Sequence, residues 1–449
     1  MNSSSFPNMI SRREAIRRAV WAGGGLVMAD HWLQAAPATT PAPAVPVKAP
    51  SGKAKSVIQI WLWGGACHID TFDPKPEAGR DYCGPFDKPL ATNVDGIRIN
   101  ELMPSLAKQA DKYSLIRSMT HGNNGHETAA YIVQTGHQPD RLVYPSMGAI
   151  VSLFKGVDHG YSGMIPPYIV LTNLQGRFSE AGFLGLRYKP FATGGDPGQK
   201  RFAVEGIVAE GISDERQVSR RDLLHGIDSL GRSMPGDPRF QQFDTCEKKA
   251  YEMILGDAAK LYDLATEKQE DRDRYGMNTF GQSCLMARRL VEKGVPYVTI
   301  NYNGWDTHKQ HFEAMRRKLP ELDAGLGSLI GDLAQQGLLD STIVWCCGEF
   351  GRTPKVQWES PWNGGRGHYG NVFSALVAGG GFKGGQVLGS SDANGMEVAE
   401  RPVRPAELLG TMCSLLGIDP DQPMSNPGGL EVTVMPPAEK GAGRLKELI

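Results

Sequence analysis

Four groups of ionisable residues in this sequence each stand directly beside an apolar run. After VIQIWLW come His68, Asp70 and Asp73, and after PYVTIN come Asp306, His308 and His311. After STIVWCC come Glu349, Arg352 and Thr353, and just before FSALVAGGG comes His368. Carboxylates mixed with imidazoles suit zinc, manganese or iron, whereas oxygen ligands alone favour calcium or magnesium. Two such ions about 4 Å apart can clamp the attacking and leaving oxygens of a phosphate or sulfate ester. Taken singly, each of these residues serves equally well as a polar cap at a helix start. Four groups at the ends of four apolar runs point instead to one shared polar pocket. Arg352 is the cation beside them, with a fork that fits either a tetrahedral anion or a neighbouring carboxylate. His137 and His159 are isolated and read as ordinary surface or core residues.

The elements that must position these groups are legible as periodicity. Val57–Trp63 is apolar throughout and ends in two glycines, which describes a strand buried on both faces of a parallel sheet. Further strands are expected at Tyr113–Met119, Pro167–Leu171, Pro296–Asn301, Ser341–Cys347 and Phe373–Ala378. Helical spacing marks Glu127–Thr135, Cys246–Gln269, Asn278–Lys293, Leu319–Gln336 and Pro405–Leu416. Between them, Gly176–Gly236 is rich in glycine, with one short helical patch at Arg221–Leu230. Strands separated by helices predict a three-layer α/β/α sandwich with a mostly parallel central sheet, in which ligands gather at the strands' carboxyl ends. Trp61, Trp63 and Trp345 lie inside strands and read as core.

The chain has 449 residues and a net charge of -1, so no global field draws it to nucleic acid or to an anionic membrane. Arg12 and Arg13, the weakly apolar stretch Ala19–Ala29 and the small residues after it predict a twin-arginine export signal over residues 1–35. Residues 36–52 form a Pro/Ala-rich linker, 53–436 the folded domain and 437–449 a tail. No later run is apolar enough to span a bilayer, so a periplasmic or extracellular protein is expected. The seven cysteines are scattered, without disulfide or zinc-site spacing, and adjacent Cys346 and Cys347 are expected to be packed in the core.

The segments WGGACHIDTFDPKP, SMTHGNNGHETAAYIVQTGH, GWDTH, GEFGRTP and GRGHYGNVFSALVAGGG resemble the exported bacterial family labelled domain of unknown function 1501, within the alkaline phosphatase-like superfamily. The resemblance runs from Ser56 to Leu416. It implies a binuclear site in which Asp70 ends the first strand, Asp306 and His308 precede a helix with His311 in reserve, Glu349 ends the next strand, and His368 leads into the late strand. Phe350 stands where phosphatases of that superfamily have a histidine. Asn124, within Gly122-Asn123-Asn124-Gly125-His126, stands where they place a nucleophile, and an amide does not attack phosphorus or sulfur usefully. Thr120, Ser118 or Thr128 is then a substitute, or a metal-activated water attacks directly. His121 and His126 remain as ligand or general acid.

The resulting expectation is an exported hydrolase of phosphate or sulfate esters of a small molecule or glycan. It would use one or two divalent ions, zinc or manganese, at Asp70, Asp306, His308, Glu349 and His368, with His126, Thr120 and Arg352 as catalytic groups. The competing expectation is a non-catalytic member of the fold that binds a metal, anion or glycan in an extracytoplasmic assembly.

Overall fold

Eight strands hydrogen-bond into one sheet in the computed structural model, which describes residues 52–174, 180–200, 202–204, 214–227, 257–437 and 444–449. The predicted export signal and, but for Gly52, the predicted linker lie outside the described residues. We number the strands β1 (Ser56–Leu62), β2 (Tyr113–Met119), β3 (Tyr168–Leu171), β4 (Phe191–Ala192), β5 (Tyr297–Tyr302), β6 (Thr342–Cys347), β7 (Phe373–Ala378) and β8 (Val387–Leu388). Their spatial order is β8-β2-β7-β6-β1-β5-β3-β4. β1 pairs in parallel with both β5 and β6, and β3 in parallel with β5 and β4. Only β7 runs the other way, antiparallel to β2 and β6.

Alternate residues of β1 feed two separate apolar layers, as the period of two along a strand requires. Ile58, Ile60 and Leu62 face one layer with Val298 and Ile300, while Val57 and Trp61 face the other with Ile343 and Trp345. Helices cover both. We number the longer ones α1 (His126–Thr135), α2 (Met147–Lys155), α3 (Thr279–Glu292), α4 (His311–Gln335) and α5 (Pro405–Leu415). Leu285 of α3 with Leu322 and Leu326 of α4 fill the first layer, and Val133 of α1, Ile150 of α2 and Leu409 of α5 fill the second. The expected three-layer sandwich is thus present, with each sheet face buried against helices.

Local chemistry sets several helix ends. Asn278 accepts from the Gly281 amide to start α3, and Ser146 accepts from the Ala149 amide to start α2. Gly136, in the left-handed region at φ 76°, closes α1. Two expectations shift. α4 begins at His311 rather than Leu319, running straight through Pro320, because Phe312, Met315 and Leu319 already present an apolar face to the core. The long helix expected over Cys246–Gln269 is interrupted in its described part: Asp263 takes an extended conformation and caps a short turn at Leu264–Thr266. A separate helix then covers Gln269–Tyr275. In the glycine-rich middle, a helix covers Asp214–Ile227, and the rest of the predicted patch lies outside the described residues. The edge strands β4 and β8, two residues each, are too short to leave a periodic signal.

The six described cysteines are free and buried, Cys346 and Cys347 among them. No helix among the described residues is long and apolar enough to cross a membrane.

Candidate metal centre

Reversal of β7 explains why a residue before a strand meets residues after strands. Phe373, the first residue of β7, pairs with Met119, the last of β2, so the segment entering β7 lies at the edge where β1, β2, β5 and β6 end. A two-residue antiparallel ladder fixes it there: His368 pairs with Arg352 and Tyr369 with Gly351. His126 reaches the same edge as the first residue of α1, seven residues after β2 ends.

The side chains that converge are His126, Asp306 and His368, each offering one ligand atom, all within 4.8 Å of one another. His126 Nε2 stands 3.3 Å from Asp306 Oδ2, and His368 Nε2 stands 3.1 Å from Asp306 Oδ1. His308 joins them, its Nε2 3.1 Å from Asp306 Oδ1 and 2.9 Å from His368 Nε2. Glu349, fully buried, lies behind: its Oε1 is 2.6 Å from His126 Nδ1, and its oxygens accept from the Gly64 amide at 2.9 and 3.2 Å.

These contacts determine where the imidazole protons sit. A carboxylate only accepts, so His126 carries its proton on Nδ1, donated to Glu349, and turns the Nε2 lone pair towards Asp306. His368 is fixed in the same way, because its Nδ1 is 2.8 Å from the Asn124 carbonyl oxygen. Two imidazoles therefore face one carboxylate with their Nε2 lone pairs inward, each held by an acceptor on its outer nitrogen. That is the arrangement in which metal-binding histidines are oriented. Without a cation, His308 Nε2–H supplies the hydrogen bond to His368, and His126 needs a second proton to meet Asp306. The His126 imidazole is accordingly raised above its ordinary value, first by the hydrogen bond to Glu349 and then by the charges of Glu349 and Asp306 against the cost of burial. His308 is lowered, mainly by burial. Asp306 would be raised by burial, but the Arg352 hydrogen bond and charge hold it at about 2. Its carboxylate is thus ionised throughout the working range, as a ligand must be. The residues fit a divalent cation of the nitrogen-and-oxygen preference of zinc or manganese.

The remaining site residues fall elsewhere. Asp70 is fully buried and paired with Arg366, whose Nε is 2.7 Å from Oδ2, and with His311, whose Nε2 is 2.8 Å from Oδ2. His68 is buried against the Gly395 carbonyl oxygen at 2.9 Å. Asp73 takes Lys75, Arg117 and the Ser391 hydroxyl. Arg352 is buried, hydrogen-bonded to Asp306 and to the carbonyl oxygens of Gly64, Gly65 and Arg366, so its fork is spent on the site's own scaffold. Thr120 directly follows β2, with its amide on the Val403 carbonyl oxygen, and makes no hydrogen bond to the cluster among the described residues. His121 donates from Nε2 to the Glu349 carbonyl oxygen at 2.7 Å while its Nδ1 accepts from the Asn123 amide. The Asn124 side chain accepts from the Gly370 amide at 2.6 Å, locking the loop that carries His368.

Aromatic rings wall the cluster. Phe350 lies 4.7 Å from the His368 ring and 5.0 Å from the His126 ring, and Trp63 stacks on His126 at 5.6 Å. Trp63, read as core from its strand, is therefore half-buried and faces the site. Its position just past the end of β1 and before Gly64-Gly65 is the signal that places it there.

Gly64 sits at φ 111°, and a Cβ on it would stand 2.1 Å from the Asp306 amide nitrogen. Gly64→Ala is expected to cost at least about 2 kcal/mol from conformation and clash together. Because the clash falls on the Asp306 backbone, divalent-cation affinity should fall with stability. Urea unfolding and a metal titration check this, and unchanged affinity would mean that the loop tolerates the shift.

Cysteine–tRNA ligase 1 of Photobacterium profundum is 26% identical over 126 residues, 27% of this chain, and the chain spans only 26% of the length of that curated relative. A protein in the alkaline phosphatase superfamily from Vibrio parahaemolyticus is 11% identical, covering 84% of this chain and 71% of that one, with a TM-score of 0.35. The C-terminal periplasmic domain of EcEptC from Escherichia coli, solved as a complex with Zn, is 13% identical, covering 89% and 95%, with a TM-score of 0.36. The family model described as protein of unknown function (DUF1501) matches residues 54–440, which include every strand of the sheet and every residue of the cluster, and the chain belongs to that family.

Proposed function

We propose that this protein is a metal-dependent hydrolase of phosphate or sulfate esters, with a divalent cation held by His126, Asp306 and His368 and oriented from behind by Glu349. The observation that carries the reading is the pair of acceptors on the outer ring nitrogens, Glu349 Oε1 at His126 Nδ1 and the Asn124 carbonyl oxygen at His368 Nδ1, an arrangement that assigns both protons outward and turns two Nε2 lone pairs towards one carboxylate. When bound, a cation there supplies positive charge to the oxyanion of a tetrahedral ester and lowers the cost of charge build-up in the transition state. The protein's own groups do the rest. Glu349 and Asn124 hold the two rings, Arg352 keeps Asp306 ionised and in place, and Phe350 with Trp63 limits water around the cluster. His308 Nε2, half-exposed beside Asp306 and His368, completes the polar face of the cluster.

Action outside the cytoplasm belongs to the same proposal and rests on Arg12, Arg13 and the apolar stretch that follows them. A second reading, metal binding without turnover, is favoured by one observation. Asn124, at the position of a nucleophile in the resembling enzymes, is an amide engaged with Gly370.

Metal content of the purified full chain by mass spectrometry, followed by assay on aryl phosphate and aryl sulfate, separates the readings. The hydrolase reading expects bound zinc or manganese and a turnover that chelation removes and the metal restores. Bound metal without turnover on either ester supports the second reading, and a folded protein that takes up no divalent cation contradicts both.

A further inference from the structure

Behind the cluster lies a second set of side chains that the metal reading does not use. Thr307 Oγ1 is 2.5 Å from His311 Nδ1, and His311 Nε2 is 2.8 Å from Asp70 Oδ2. Asp70 can only accept, so His311 carries its proton on Nε2 and presents the Nδ1 lone pair to the threonine hydroxyl. Thr307 Oγ1 also lies 3.2 Å from the Trp305 carbonyl oxygen, but the shorter contact is to the imidazole. The buried Arg366 grips the far side of Asp70 through Nη2 to Oδ1 at 3.1 Å, fixing the carboxylate that fixes the ring.

Hydroxyl, imidazole and buried carboxylate in a line form the arrangement that turns an alcohol into a nucleophile, here with the two ring nitrogens exchanged relative to the serine-protease triad. Thr307 and His311 stand four residues apart, and Gln310, in the left-handed region at φ 49°, leads the chain into α4 at His311. Thr307 directly follows Asp306, so the hydroxyl belongs to the same loop as the central carboxylate of the cluster, and the residue retains 7% exposure.

We propose that Thr307 is the nucleophile of this protein, with His311 as its general base and Asp70 as the residue that orients the base. The proposal rests on the hydrolase reading above and supplies the hydroxyl that Asn124 cannot. In the first step Thr307 Oγ bonds to the phosphorus or sulfur of the ester and the bond to the leaving oxygen breaks. The hydroxyl proton passes to His311 Nδ1 and from there to the leaving alkoxide. In the second step water attacks the threonine ester, gives its proton to the same nitrogen, and releases the inorganic anion while Thr307 recovers its proton. The net change is ester plus water to alcohol plus inorganic anion.

The test is labelling of the full chain with a dialkyl fluorophosphate, in which a nucleophilic hydroxyl displaces fluoride, followed by peptide mass spectrometry. The proposal expects the adduct on Thr307, absent in Thr307→Val and formed at least about 100-fold more slowly in His311→Gln. Thr307→Val keeps the side-chain shape and so guards against a folding artefact, which circular dichroism checks. An adduct on another residue, no adduct, or a Thr307 adduct whose rate His311→Gln leaves unchanged overturns the assignment. The hydrolase reading is judged separately. If Thr307→Val hydrolyses aryl esters at the wild-type rate, hydrolysis stands and Thr307 is not its nucleophile. A Thr307 adduct in a protein that binds no metal leaves this assignment standing and removes the metal site.

Discussion

Asp306→Asn is expected to lower divalent-cation affinity by on the order of 100-fold or more and to remove ester turnover with it. The amide cannot supply the negative charge that meets His126 on Oδ2 and His308, His368 and Arg352 on Oδ1. Its NH2 group would meet a donor, leaving Arg352 buried with its charge unmatched. Glu349→Gln provides the graded control. That carboxylate touches the cation only through His126, and loss of such an orienting partner typically costs about 10–100-fold in affinity. Isothermal titration with zinc or manganese checks both. Equal affinities for wild type and Asp306→Asn would place the cation elsewhere.

Arg366→Met has the largest expected effect on stability. Arg366 and Asp70 are both fully buried, and the guanidinium also donates to the carbonyl oxygens of Thr353, Pro354 and Tyr82. Asp70 is pushed up by burial but pulled below the usual carboxylate range by Arg366 and His311, so at neutral pH it is a charge that depends on its partner. Removing that partner leaves an uncompensated buried charge and is expected to cost about 3–5 kcal/mol. A urea midpoint that falls accordingly, with m unchanged, is the expected record. A midpoint within experimental scatter of wild type would show that Asp70 is neutral or hydrated in the native protein.

The two networks also mark the boundary of what sequence reading reaches. Placement of the candidate ligands at one sheet edge is legible, because each apolar run stops at polar residues and β1, β5, β6 and β7 lie side by side in the fold. The choice between His308 and His311 was open to sequence, and the structure sets His308 on Asp306 and His311 on Asp70. What was not legible is that Asp70 and Asp306 serve separate networks. That split follows from Arg366, which sits two residues before His368 and turns inward to claim Asp70, a choice made by loop packing that leaves no periodic trace. The i,i+4 pair Thr307 and His311 is visible in the sequence, yet it acquires meaning only once α4 is seen to begin eight residues before the apolar stripe suggested. His126 is a candidate by its neighbourhood in the sequence, but its contact with Glu349 spans 223 residues and depends on how α1 packs against the loop after β6.

Anomalous diffraction from crystals soaked with zinc, and separately with manganese, bears most directly on the cation site. A single strong peak in bonding contact with His126 Nε2, Asp306 and His368 Nε2 is the expected result. No peak there, or a peak seated instead on Asp70 and His311, contradicts the account.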